Sequence, residues 1–207
     1  MKVLLLNGSP RQKGCTQRAL KEIEIELNAQ GIDTEYIQVG DKAISGCMAC
    51  GVCKHTGKCA IDDLVNELAV KFCDADGMVL GTPVYYAGAN GTLLSLLDRL
   101  FCSTPFDKTM KVGATVLSSR RAGSTSAMDE LNKYFAIANM PIVPSTYWNE
   151  VHGSTAQEVE KDLEGLQTMR NIAKNMAFML KSFELGKDKY GLPNIERGAR
   201  TNFADGK

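Results

Sequence analysis

At 207 residues, 44% hydrophobic and 23% charged, the chain is long enough for one domain with a sizeable core and too apolar to be disordered. Its 24 Lys and Arg residues balance 24 Asp and Glu, so no excess of cations exists to hold a nucleic-acid backbone. No stretch approaches the ~20 apolar residues of a membrane span, and the apolar run in MKVLLLNGSP is too short for a signal peptide. A cytoplasmic protein is the expectation, and the seven cysteines then suit metal or redox chemistry better than structural disulfides.

Short apolar runs alternate with helical periodicities along the chain. Val3 to Leu6 reads as a strand that stops at Asn7-Gly8-Ser9-Pro10. A helix follows from about Thr16 to Gln30, with Leu20, Ile23 and Leu27 on one face and Gly31 as its stop. Thr34 to Val39 is a second strand, and a loop with cysteines at 47, 50, 53 and 59 comes next. Asp62 and Asp63 suit a helix N-terminus ahead of Leu64, Leu68 and Phe72. Gly77 to Leu80 forms a third strand, ending at Gly81-Thr82-Pro83, and the next helix carries Leu93, Leu97, Leu100 and Phe101. Val112 to Leu117 is a fourth strand, followed by a helix with Met128, Leu131 and Phe135; Ile142 and Val143 mark a fifth strand. Leu163, Leu166, Met169, Ala173, Met176, Leu180 and Phe183 repeat at threes and fours as one long amphipathic helix. Strand and helix alternating in this way imply a parallel sheet covered on both faces. The expectation is one α/β domain over residues 1–185, with the cysteine loop 46–59 inserted after the second strand and a polar tail over 186–207 that stays loose or docks on a partner subunit.

Ligands of such sheets bind outside the carboxyl ends of the strands, where three loops carry unusual residues. In NGSPRQKGCT, residues 7–16, Gly8 and Gly14 allow tight turns, Ser9 and Thr16 offer hydroxyls, and Arg11 and Lys13 offer charge. With the N–H groups of the following helix they form a nest for one phosphate. The plainer reading is a turn with Thr16 as an N-cap. The loop has neither the Lys-Ser/Thr pair of a nucleoside triphosphatase nor G-x-G-x-x-G, which favours a monophosphate. In GTPVYYAGANG, residues 81–91, Pro83 forces an extended path, Val84 continues it, and Gly88 and Gly91 permit close approach to a flat ligand. Tyr85 and Tyr86 offer aromatic surface, although adjacent tyrosines are more often half-buried packing. In SSRRAGSTS, residues 118–126, Ser119, Arg120, Arg121 and Gly123 suit a ring edge that gathers negative charge on reduction, or else form a solvated basic turn. Trp148 and His152 in YWNEVHG either line a substrate pocket or serve the fold.

Gly8-Ser9-Pro10-Arg11 after a first strand, Thr82-Pro83-Val84-Tyr85 after a third, and the basic loop after a fourth together resemble the NAD(P)H-dependent FMN reductase family. The likeness runs over roughly residues 1–185 and implies a flavodoxin-like three-layer sandwich with a five-stranded parallel sheet. It further implies that Ser9, Arg11, Gly14, Cys15 and Thr16 hold the FMN phosphate. Pro83, Val84, Tyr85, Tyr86, Gly88, Ser119, Arg120, Arg121 and Gly123 would border the ring. Cys15 replaces the small polar residue usual before the threonine, so its backbone rather than its side chain is the expected donor. The tract Leu97-Asp98-Arg99 also matches, on a helix that often makes subunit contacts in the family.

The cysteines are spaced C-x2-C-x2-C-x5-C. Zinc sites usually set two close cysteines against a distant pair, whereas this compact run is nearer to iron–sulfur loops. It resembles the motif of iron–sulfur flavoproteins, a branch of the same family, which would make Cys47, Cys50, Cys53 and Cys59 ligands of a [4Fe–4S] cluster. A redox-active dithiol such as Cys50 and Cys53 stays open beside that reading, and Ala60 stands where ferredoxin-type runs often place proline. Cys15, Cys73 and Cys102 read as small apolar or loop residues.

The resemblance makes FMN the cofactor and NAD(P)H the co-substrate. Without a cluster, the electron acceptor is a small flat electrophile such as a quinone, nitro compound, azo dye or flavin; with one, electrons pass one at a time to or from a partner such as ferredoxin. No Ser-His-Asp set or carboxylate pair is visible, which agrees with chemistry borne by the cofactor. A non-enzymatic carrier of flavodoxin type is disfavoured by the neutral charge, and a thiol- or metal-responsive module with an inert flavin is a third reading. A homodimer or homotetramer is expected, because a neighbouring subunit would wall a shallow FMN site.

Overall fold

A strand covered on both faces has no polar side. Val3, Leu4, Leu5 and Leu6 are all fully buried, with Val3 and Leu5 in one core and Leu4 and Leu6 in the other, as the two-residue period of a strand requires. In the computed structural model, which describes residues 1–199, this strand is β1 (Lys2–Asn7). The order continues α1 (Cys15–Ala29), β2 (Asp33–Gln38), α2 (Val52–Thr56), α3 (Leu64–Asp74), β3 (Gly77–Pro83), α4 (Gly91–Ser103), β4 (Val112–Ser119), α5 (Ser124–Ile137), β5 (Glu150–His152), α6 (Ala156–Val159) and α7 (Leu163–Tyr190).

The five strands lie in the order β2-β1-β3-β4-β5, all parallel. One core packs α1 and α7 onto the sheet through Leu20, Ile23, Leu27, Met169, Ala173 and Met176. The other packs α3, α4 and α5 through Leu68, Phe72, Leu93, Leu97, Leu131 and Phe135. This is the flavodoxin-like sandwich, and the chain reverses its strand order between β1 and β3, which opens a crevice at their carboxyl ends.

Local signals mostly held. Asp63 caps α3, its side chain accepting from the Val65 N–H, and Gly31 ends α1 in the left-handed region, with φ 77°. Two expectations changed. The fifth strand is Glu150–His152, while Ile142 makes one parallel bridge to Gly113. Pro141 and Pro144 flank the Ile142-Val143 pair and cannot donate to a ladder, so the edge is interrupted and resumes eight residues later. Thr16 is no cap: α1 begins after Gly14, and Thr16 lies buried in the first turn.

The stripe of α7 is buried from Leu166 to Leu180, but Leu163 is 73% exposed because it precedes the packed stretch. The helix passes Gly186 and ends at Tyr190, with Gly191 as its C-cap. Beyond it Arg197 reaches Asp107 at 3.2 Å. The expected tail extends to residue 207, and its residues 200–207 lie outside the described residues. No helix among the described residues is long and apolar enough to cross a membrane.

Candidate functional site

The loop after β1 is pinned from both sides. The Asn7 amide donates to the Gln38 side-chain oxygen at 2.7 Å, and its own oxygen accepts from the Ser9 N–H at 3.0 Å. Gln38 returns a hydrogen bond to the Ser9 carbonyl at 2.7 Å. The Asn7 carbonyl accepts from the N–H groups of both Val39 and Gly40, and the Gly8 N–H donates to the Gly81 carbonyl at 2.7 Å. Ser9 then turns the chain by accepting from the Arg11 N–H at 3.1 Å. No side chain caps the first turn of α1 and no acid stands in it, so its N–H groups and the positive end of the helix dipole face the loop. Arg11 and Lys13 are exposed at the rim. This cradle can take an anion the size of a phosphate.

Two side chains of the loop point elsewhere. Burial pushes the Cys15 thiol up from its ordinary range, and it donates to the Gly153 carbonyl at 3.3 Å; Cys15 has only its backbone to offer an anion. Thr16 Oγ1 lies 2.8 Å from Ser118 Oγ, tying α1 to the end of β4. Thr16→Val is expected to strand the buried Ser118 hydroxyl and cost about 1–3 kcal/mol, read as a lowered urea midpoint that Thr16→Ser restores.

The second and third loops meet beside this cradle. The Thr82 hydroxyl accepts from the Asn90 N–H at 2.9 Å, and Val84 N–H donates to the Ser118 carbonyl at 3.0 Å. Tyr85 and Gly88 exchange backbone hydrogen bonds at 3.0 Å each across Tyr86 and Ala87, whose φ angles are 50° and 61°. Positive φ at two successive residues with side chains is costly and clusters at ligand sites. Glu130 of α5 holds the turn by accepting from the Ala89 N–H at 2.9 Å. Tyr86 is fully exposed and Tyr85 is 47% exposed, so only Tyr85 is half-buried and Tyr86 stands free of the core. A Cβ on Gly123 would fall 2.8 Å from the Ala87 Cα, so the basic loop packs directly on the tyrosine turn. Arg120 and Arg121 are exposed there and form no ion pair among the described residues.

At the edge, Ser119 Oγ lies 3.3 Å from His152 Nδ1 and 3.4 Å from Glu150. The other ring nitrogen of His152, Nε2, lies 3.7 Å from Glu150 Oε1, too far for a hydrogen bond, so the three side chains do not complete the nucleophile–base–orienter chain of a hydrolase. Trp148 is 50% exposed, on a groove of about 580 Å³ with Met128, Ile142 and Tyr147.

Cys47, Cys50, Cys53 and Cys59 line a second cavity, of about 230 Å³, and Cys102 lines it with them. Gly51 and Gly57, with φ 76° and 68°, bracket α2 between the cysteines. Arg99 forms the floor. It is 2% exposed and donates to both Asp63 oxygens at 2.7 and 2.8 Å, to the Ile61 carbonyl at 3.1 Å, to the Ser45 carbonyl at 3.3 Å and to Cys59 Sγ at 3.4 Å. A fully buried charge persists only with such a set of partners. The subunit-contact reading of the Leu97-Asp98-Arg99 tract therefore does not extend to Arg99, which serves the cysteine pocket. Cys102, read from sequence as an apolar or loop residue, has its Sγ 3.9 Å from that of Cys53. Among the described residues, no three His, Cys, Asp or Glu side chains are gathered closely enough for one metal ion. The five thiols are instead distributed around the cavity.

Residues 1–155 match the model of a family described as NADPH-dependent FMN reductase. The chain belongs to that family. An iron–sulfur flavoprotein of Methanocaldococcus jannaschii is 35% identical over 192 residues, 87% of this chain and 98% of the relative. An iron–sulfur flavoprotein of Methanosarcina thermophila is 29% identical over 91% of this chain and 100% of its own. Among solved structures, RosB with bound 8-demethyl-8-formylriboflavin-5′-phosphate superposes with a TM-score of 0.70 at 15% identity, covering 98% of this chain and 91% of RosB. A flavodoxin from the domain Archaea gives 0.60 at 14% identity over 87% and 99%. At such identities the structural likeness speaks for the flavodoxin-like fold alone.

Family membership leaves several site residues unannounced. Asn7, Gln38 and Gly40, which frame the first loop, carry no motif signature, and their signal is only their place at the ends of β1 and β2. Glu130 sits 41 positions from the backbone it holds, a relation that no local spacing encodes.

Proposed function

We propose that the protein is an FMN-dependent oxidoreductase in which a [4Fe–4S] cluster in the cysteine pocket exchanges electrons with the flavin. The observation that carries this reading is that Cys47, Cys50, Cys53 and Cys59 line one cavity on a flavodoxin-like frame, and the similarity to iron–sulfur flavoproteins supports it. Bound FMN supplies hydride acceptance and one-electron transfer, and the cluster supplies one-electron exchange.

The chain's own residues bind and tune. The Ser9 hydroxyl, the N–H groups of Gly14, Cys15 and Thr16 and the helix end would hold the phosphate, with Arg11 at the rim. Pro83 to Tyr86 and Gly88 would border the ring, held there by Thr82 and Glu130. Arg120 and Arg121, beside Gly123, place positive charge where negative charge develops on reduction. Arg99 donates to Cys59 Sγ, and a hydrogen bond of this kind stabilises a thiolate ligand and raises the potential of the metal group it holds. NAD(P)H is the expected hydride donor and a ferredoxin-like protein the expected one-electron partner.

The test is a visible spectrum with iron and acid-labile sulfide assays on protein purified without oxygen. Flavin bands under a broad brown absorbance, with iron and sulfide present, are expected; chelation should remove the brown absorbance and leave the flavin bands. A clean flavin spectrum without iron would favour the second reading, an NAD(P)H-dependent reductase of small acceptors such as quinones, for which family membership alone argues. Protein that binds no added FMN would overturn both.

A further inference from the structure

Four thiols suffice for a cluster, yet the pocket contains five. Cys102 sits on the last turn of α4, and its Sγ is 3.9 Å from Cys53 Sγ. The two sides of the pair differ in freedom. Cys102 is fixed by α4, whose Arg99, one turn earlier, is locked to Asp63, Ile61 and Ser45. Cys53 rides on a five-residue helix with no buried residue, between two glycines in the left-handed region. Such a segment can close the gap to the ~2.05 Å of a disulfide by local movement.

We propose that Cys53 and Cys102 form a dithiol pair that closes to a disulfide when the pocket carries no cluster, and that closure reversibly blocks cluster assembly. The bond stands on the sulfur geometry alone; the block rests on the cluster reading above. The oxidant is a small disulfide of the glutathione class. One cysteine thiolate attacks a sulfur of the oxidant, whose S–S bond breaks, and the departing thiolate takes up a proton. The other cysteine thiolate attacks the protein sulfur of the mixed disulfide, forming Sγ–Sγ and expelling the second small thiol, which is protonated in turn. Two electrons pass from the pair to the oxidant. Cys47, Cys50 and Cys59 then remain, one thiolate short of a cluster's four, until a thiol reductant reverses the exchange.

The full chain, stripped by a chelator under reductant and desalted, is exposed to oxidised glutathione, alkylated and digested without reduction. Free thiols should fall from seven to five, and mass spectrometry should join the peptide of Cys47, Cys50 and Cys53 to that of Cys102. Cys53→Ser and Cys102→Ser should each abolish the link, and Cys47→Ser should leave it. Closure within the 47–59 loop alone, or Cys102 alkylated throughout, would overturn the pair. Iron and sulfide should load the reduced protein, fail to load the linked protein, and load it again after dithiothreitol. Loading of the linked protein would overturn the block. A linked protein whose reduced form also takes up no iron would sink the cluster reading and leave the disulfide standing.

Discussion

Asp63→Ala is expected to lower stability by about 3–5 kcal/mol, the usual penalty for leaving one member of a buried ion pair alone. The asymmetry of burial sets this size: the Arg99 side chain is 1% exposed and that of Asp63 22%, so the guanidinium stays in the interior while its counter-charge is lost. The carbonyls of Ile61 and Ser45 remain as acceptors, but they are neutral. Asp63 also caps α3, a role worth about 1 kcal/mol that serine can fill. Asp63→Ser should therefore recover only the smaller share. Urea unfolding of the three proteins separates the contributions, and a serine variant as stable as the parent would mean that the cap, not the buried charge, carries the effect. Arg99 also reaches Cys59, so on the cluster reading proposed above the alanine variant should hold less iron.

Gly40→Ala is the second large expected loss. An added Cβ would fall 2.2 Å from the Gly8 carbonyl oxygen and 2.3 Å from the Ser9 carbonyl carbon. These are backbone atoms of the loop after β1, with no rotamer to yield, so the loop itself must shift. Overpacking of this kind costs about 1–3 kcal/mol. If a comparable strain falls on the bound state, a share of about 1.4 kcal/mol raises the FMN dissociation constant about tenfold. Flavin fluorescence titration measures this. Gly46→Ala, where nothing lies within 4 Å, serves as the control; equal behaviour of the two variants would show that the loop tolerates the intrusion.

What was legible in the sequence is what local pattern encodes. The run from Val3 to Leu6, buried on both faces, the spacing of Leu20, Ile23 and Leu27, and the Asp63 cap each follow from a few neighbouring residues and appear where expected. The three loops were legible because strand ends in such a sheet converge. Relations between distant segments were not. Gly40 reads as an ordinary turn residue until β2 is laid beside β1. Arg99, a charged residue on a helix, is expected to face water; it faces inward because Asp63 lies 36 positions away in sequence but within hydrogen-bonding distance. Cys102 joins the cysteine pocket across a separation of 49 residues. The fifth strand was half legible: the apolar pair Ile142-Val143 does lie against β4, but the prolines on either side divert the chain before it returns as Glu150–His152.

That divided edge bears on how copies of the chain can associate. An uninterrupted border strand would offer a row of unpaired amides to another molecule, a common route to aggregation. Here the β5 border is three residues long, and at the opposite border Glu35 of β2 is engaged by Lys2 and Lys71, placing charge where a second sheet would have to dock. Joining of sheets into a continuous ribbon is disfavoured at both ends, which leaves self-association to the helical layers.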